Sequence, residues 1–116
     1  MYQNLLQKGG VGDMPAMEHL LNTGIRPEVI EELRGLAGEY GIRKMVLFGS
    51  RARGDYRRDS DIDLAVSGGN IDLFRLAAEE DTSTLLQYDV IDLDNTASPE
   101  LLSSIHKEGI VLYEEI

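Results

Sequence analysis

Residues 47–66 read L-F-G-S-R-A-R-G-D-Y-R-R-D-S-D-I-D-L-A-V: a strand end, a glycine turn, a basic loop and a second strand. Lys44 to Phe48 is a short, largely apolar run stopped by Gly49, as a buried strand would be. Asp61 to Val66 alternates, with Ile62, Leu64 and Val66 on one face and Asp61, Asp63 and Ala65 on the other. Gly49 permits a sharp exit from its strand and lets the backbone approach a ligand closely. Ser50 adds a hydroxyl, and the backbone N–H groups that follow can open a helical turn. With Arg51 and Arg53 adjacent, that turn is expected to cradle phosphate oxygens. No G-K-[ST] follows the glycine, so it is not a Walker P-loop. Asp61 and Asp63 stand about 7 Å apart along one strand face. Like charges so placed repel unless a cation lies between them, and hard oxygen donors suit Mg²⁺. D-x-D alone is not specific, since three such pairs occur (59/61, 61/63 and 92/94). Only Asp61/Asp63 is interleaved with apolar residues on a strand expected to be central.

Outward from this stretch, helices and strands alternate. Residues 1–12, with Gly9, Gly10 and Gly12, read as a loose arm, and residues 13–116 as one domain. Asp13 can cap a short helix with Met17, Leu20 and Leu21 inward. A clearer helix is predicted from Pro27 to about Tyr40, ended by Gly41. Asn70 caps a helix predicted to reach about Leu86, with Phe74, Ala77, Ala78, Leu85 and Leu86 on its apolar side. Tyr88 to Leu93 reads as a strand, and Ser98-Pro99 starts a helix to about Lys107. Ile110 to Tyr113 is a last short strand. The class is α/β (α+β), a single domain whose sheet carries helices mainly on one face.

The chain has 116 residues, the length of one compact domain, and its composition is 42% hydrophobic and 28% charged, as in ordinary globular proteins. A net charge of −10 argues against general coating of nucleic acid or of an anionic membrane. No apolar run approaches the roughly 20 residues that span a bilayer. The N-terminal residues lack a signal peptide's apolar stretch, so the expected location is cytoplasmic. Without cysteine there is no disulfide, thiolate catalysis or Cys-based zinc site. Six of the eleven basic residues (Arg43, Lys44, Arg51, Arg53, Arg57 and Arg58) crowd into residues 43–58 with only Asp55 against them. A positive patch in an acidic protein suits a phosphate-bearing ligand or an acidic partner. His19 and His106 have no neighbour at metal-ligand spacing and read as structural, Met14 and Met17 as core filler.

The compound pattern G-S-x10-D-x-D, residues 49–63, is far more specific than its parts. It closely resembles the signature of the DNA polymerase beta-like nucleotidyltransferase superfamily. The segment G-S-R-A-R-G through S-D-I-D-L resembles its small prokaryotic branch, the minimal nucleotidyltransferases, and the likeness extends loosely over about two thirds of the chain. It implies the polymerase beta-like nucleotidyltransferase fold. It also implies transfer of a nucleoside monophosphate, AMP from ATP, to an acceptor hydroxyl. Two Mg²⁺ ions would be held by Asp61, Asp63 and a third carboxylate, with Gly49, Ser50 and Arg53 on the triphosphate. The family's third aspartate precedes two apolar strand residues, which matches Asp89 before Val90-Ile91, with Asp92 the runner-up. The likeness further implies a separately encoded helical partner of the HEPN type, as in toxin–antitoxin pairs, with an oligomer also possible. The alternative is a nucleotide-binding subunit of slight catalytic ability whose main task is to bind that partner.

Overall fold

The computed structural model describes residues 20–95 and 98–115. The arm over residues 1–12 and most of the helix expected from Asp13 lie outside the described residues. A single 3-10 turn, Leu21–Thr23, leads into helix α1, Pro27–Glu39. Strand β1, Lys44–Phe48, is followed directly by the one-turn helix α2, Gly49–Arg53. Then come β2 (Ile62–Ser67), α3 (Ile71–Asp81), β3 (Tyr88–Asp92), α4 (Pro99–Glu108) and β4 (Ile110–Glu114).

Local chemistry sets most of these limits. Pro27 opens α1 with its φ already helical, and Gly41 at φ 73° leads the chain out of it. The Asn70 side chain accepts from the Leu73 N–H at 3.1 Å, and Ser98 Oγ from the Leu101 N–H at 3.2 Å, each capping its helix. Helix α3 stops at Asp81, short of the expected Leu86. Thr82-Ser83-Thr84 turns the chain instead: the Thr82 hydroxyl donates back to Ala78 O, and Glu32 of α1 accepts from both the N–H and the hydroxyl of Ser83. Leu85, expected inward, is therefore fully exposed.

The four strands form one mixed sheet in the order β3-β2-β1-β4. β1 is antiparallel to both β2 and β4, while β2 and β3 run parallel. One sheet face is covered by α1 and α3: Val29, Ile30, Leu33 and Ala37 with Phe74 and Ala78 pack on Met45, Leu47, Ile62, Leu64, Val66 and Val90. The opposite face carries a smaller cluster in which Ile105 of α4 meets Val46, Phe48 and Ala65. That face also bears Asp63, which shares its parity with Ala65.

The largest fully buried side chain is charged. Arg51, on α2, is 2% exposed. It donates from Nε to Ser60 O at 3.1 Å, from Nη1 to Thr23 O at 2.9 Å, and from Nη2 to Arg58 O at 3.1 Å and Arg57 O at 3.5 Å. Its guanidinium lies 4.8 Å from the centre of the Tyr56 ring. Arg51 is thus a strut for the loop between α2 and β2 rather than part of a phosphate cradle. Replacing Arg51 with Met should strand these carbonyls and cost about 3 kcal/mol, as expected for hydrogen bonds to a buried charge. Arg51→Lys should recover less than half of the loss, because one ammonium cannot reach the carbonyls of Thr23, Ser60, Arg57 and Arg58 arranged around the guanidinium's edge. Urea denaturation of the two variants checks this; a loss near zero for Arg51→Met would remove the strut role.

Candidate active site

Strand pairing brings three aspartates to one face at one end of the sheet. Asp63, the second residue of β2, is the register partner of Asp89 in the parallel neighbour β3, so the two side chains stand beside each other on one face. Asp61 precedes β2 by one residue and shares that parity. Asp92 pairs with Val66 at the far end of β2 and has the other parity. Its carboxylate is engaged there in a turn, accepting from the Asp94 N–H at 2.9 Å and from Asn95 Nδ2 at 2.7 Å. Of the two candidates for a third carboxylate, Asp89 is therefore the one beside Asp63.

On its other side Asp63 pairs with Phe48, the residue before Gly49. Gly49 has φ 75°, and a Cβ built there would lie 2.1 Å from Asp63 Oδ2. Glycine is thus required twice over, by its backbone angle and by the carboxylate pressed against it. Ser50 follows, half-buried, and Arg53 is exposed at the end of α2. The α2 backbone returns on itself, with Ser50 O accepting from the Gly54 N–H at 2.8 Å. Arg51 and Arg53 thus have opposite fates on one short helix: the first is buried in the loop, the second reaches over the site.

Crowding shows in the electrostatics. The Asp63 carboxyl is pushed up from 3.8 to about 6, first by burial, then by the charges of Asp89 and Asp61, with Arg53 and Arg51 only partly offsetting them. A divalent cation would relieve this repulsion, and the donors are all hard carboxylate oxygens, so the set fits Mg²⁺ in its chemistry. Among the described residues no three such groups already converge on a single point. The exposed Asp61 and Asp89 side chains would have to turn toward Asp63 to share an ion.

One residue at this site carries no sequence motif. Glu108, the last residue of α4, accepts through Oε2 from the Gly49 N–H at 3.2 Å and from Arg53 Nη1 at 3.1 Å. A carboxylate at a helix C-terminus faces the negative end of the helix dipole, which disfavours it by about 0.3–1 kcal/mol. That local misfit, an acid where His106 and Lys107 suit the dipole, is the signal by which Glu108 could have been singled out.

The model of the family described as Polymerase beta, Nucleotidyltransferase matches residues 31–115. The Methanocaldococcus jannaschii protein MJ0604, assigned by name as a protein adenylyltransferase, is 41% identical over 81 residues, covering 62% of this chain and 79% of its own. A solved structure described as a minimal nucleotidyltransferase superposes with a TM-score of 0.58 at 27% identity, over 85% of this chain and 98% of the other. A chain from a crystal structure of a toxin–antitoxin with AMP-PNP gives a TM-score of 0.57 at 26% identity, over 73% of each chain. With the family model matching most of its length, from within α1 to the end of β4, this chain belongs to the polymerase beta nucleotidyltransferase family.

Proposed function

We propose that this protein transfers AMP from ATP to a hydroxyl of a partner protein, as the antitoxin of a pair whose other member is a helical protein of the HEPN type. The observation that carries the reading is the register Asp63–Asp89, with Asp61 on the same face and the Gly49 turn against the Asp63 carboxylate. The relatives support it, since one is named for protein adenylylation and another was solved in a toxin–antitoxin with an ATP analogue.

In this mechanism the acceptor hydroxyl gives up its proton to solvent as its oxygen attacks the α-phosphorus, the bond to the bridging oxygen breaks, and pyrophosphate leaves with the electron pair. Asp61 and Asp63 would hold the Mg²⁺ ions, with Asp89 as a further carboxylate ligand. Magnesium there would lower the pKa of the acceptor hydroxyl and offset charge on the leaving phosphate. Gly49 offers its N–H, Ser50 its hydroxyl and Arg53 its guanidinium to the triphosphate oxygens. The acceptor is a protein because orientation accounts for a large part of catalysis, and a docked partner supplies it. Among the described residues no helix is long and apolar enough to cross a membrane. We place the protein in the cytoplasm, where ATP and Mg²⁺ are abundant.

Incubation with α-labelled ATP, Mg²⁺ and the protein encoded beside it should leave one AMP on a hydroxyl residue of that partner. Transfer in the absence of a divalent cation, or no transfer to the partner at all, overturns the reading.

Asp63→Asn should abolish transfer yet stabilise the metal-free protein at pH 7. The sign follows from linkage: a folded-state pKa of about 6 against 3.8 means the folded state takes up the proton more readily. The stability that this proton provides is full below 3.8 and is lost as pH rises through about 6. The advantage of the Asp63→Asn variant over wild type in thermal melts should therefore shrink as pH falls from 7 to 4; a constant gap contradicts the crowding.

Arg57 and Arg58 are exposed on the α2–β2 loop, their carbonyls held by Arg51 and their side chains outward. Arg57→Glu combined with Arg58→Glu should weaken partner binding about tenfold or more and flatten its salt dependence, leaving MgATP affinity unchanged. Surface plasmon resonance across a salt series measures this.

A further inference from the structure

The oxygen that Glu108 places against Gly49 and Arg53 sits where the proposed function needs a phosphate oxygen. Glu108 Oε2 accepts at 3.2 Å from a backbone N–H at a glycine turn and at 3.1 Å from a guanidinium. A phosphoryl group is held by the same two kinds of donor. The Glu108 side chain is only 21% exposed, against 46% for Arg53. Arg53 has a second carboxylate, Asp55, at 3.2 Å, but Asp55 makes no contact with Gly49. Among the described residues Glu108 alone bridges the turn and the arginine, and it does so from α4, an element distant in sequence. Its charge gains nothing from its own helix, whose C-terminal dipole opposes it.

From this geometry we infer that Glu108 is an internal counter-anion: it occupies the Gly49 and Arg53 donors in the nucleotide-free protein and yields them to the triphosphate. The inference rests on the nucleotidyl-transfer reading above and assigns a positioning role within that same site. In the free protein the Glu108 carboxylate holds the Arg53 side chain over the turn. A triphosphate brings several anionic oxygens and displaces one carboxylate. Inorganic phosphate, with fewer oxygens to bridge the site, competes poorly. When pyrophosphate leaves, Glu108 retakes the donors and hinders rebinding. If the closed arrangement holds about nine-tenths of the population, apparent nucleotide affinity is reduced about tenfold.

Calorimetry of MgATP binding to the whole chain, with thermal melting in parallel, tests this on wild type, Glu108→Gln, Arg53→Ala and the double variant. Glutamine keeps the length and an acceptor for the Gly49 N–H but removes the charge that holds Arg53. MgATP should bind Glu108→Gln about tenfold more tightly, and inorganic phosphate titrated alone should also bind Glu108→Gln about tenfold more tightly than it binds wild type. In the Arg53→Ala background the same substitution should change affinity less than about twofold, since its effect runs through that guanidinium. A Glu108 that merely secures the end of α4 would instead lower the melting temperature on substitution and leave MgATP affinity unchanged or weaker; that result overturns the inference. Should Glu108→Gln fail to fold, Glu108→Asp, too short to bridge both donors, carries the same test: tighter MgATP binding supports the role, equal or weaker binding ends it. Failure of every variant and of wild type to bind MgATP would overturn the nucleotidyl-transfer reading itself, and this inference with it. Equal binding by wild type and variants overturns the counter-anion role alone.

Discussion

Backbone carbonyls of Thr23, Arg57, Arg58 and Ser60 converge on one buried guanidinium, that of Arg51, and the placement of the site depends on this contact. A buried charge without a carboxylate is tolerated only when its donors are met by well-placed acceptors. Here they tie the segment before α1 and the loop before β2 to the single turn of α2. The Tyr56 ring lies beside the same guanidinium and against Gly24, where an added Cβ would come within 2.5 Å of it. The loop is therefore held at both ends. The chain re-enters the sheet at Ile62 with Asp61 and Asp63 facing the turn at Gly49.

The second constraint is mutual repulsion, held in check by the fold. β2 and β3 run parallel, so register puts Asp63 beside Asp89, and alternation puts Asp61 on the same face. Burial and these neighbours raise Asp63 to about 6. The apolar packing of Leu64, Val66 and Val90 on the opposite face holds the strands together against that cost. Crowded carboxylates of this kind are a common mark of a functional site. They favour a cation and a cation-bound polyanion, so an acidic protein can accommodate a triphosphate.

Much of this is written locally in the chain. The alternation of Asp61–Val66, the apolar run ending at Gly49, and the Asn70 and Ser98 caps each specify an element from a few neighbouring residues. The strand-turn-strand unit bearing Gly49, Ser50, Asp61 and Asp63 is legible for that reason. What is not local is not legible. Whether Asp89 or Asp92 meets Asp63 depends on the register of two strands more than twenty residues apart, which β3 alone does not encode. Arg51 and Arg53 are similar in sequence, yet on a one-turn helix two residues apart they face opposite sides, and only the packing of Thr23 and the following loop decides which is buried. The end of α3 misleads for a different reason: Leu85 and Leu86 continue its apolar pattern, while the Thr82 hydroxyl donates back to Ala78 O and Ser83 bonds to Glu32 of α1. Glu108 belongs to no motif, because its partners lie more than fifty residues away.

The proposed reaction has one nucleotide bound across Gly49, Ser50 and Arg53, with its metal ions on Asp61, Asp63 and Asp89. A crystal structure of the protein with a non-hydrolysable ATP analogue and Mn²⁺, located by its anomalous scattering, tests this most directly. Expected are Mn²⁺ peaks between Asp61 and Asp63 with Asp89 in contact, phosphate oxygens on the Gly49 turn, and Glu108 turned away from Arg53. Nucleotide density at another part of the surface, or metal peaks that avoid Asp63, would contradict it.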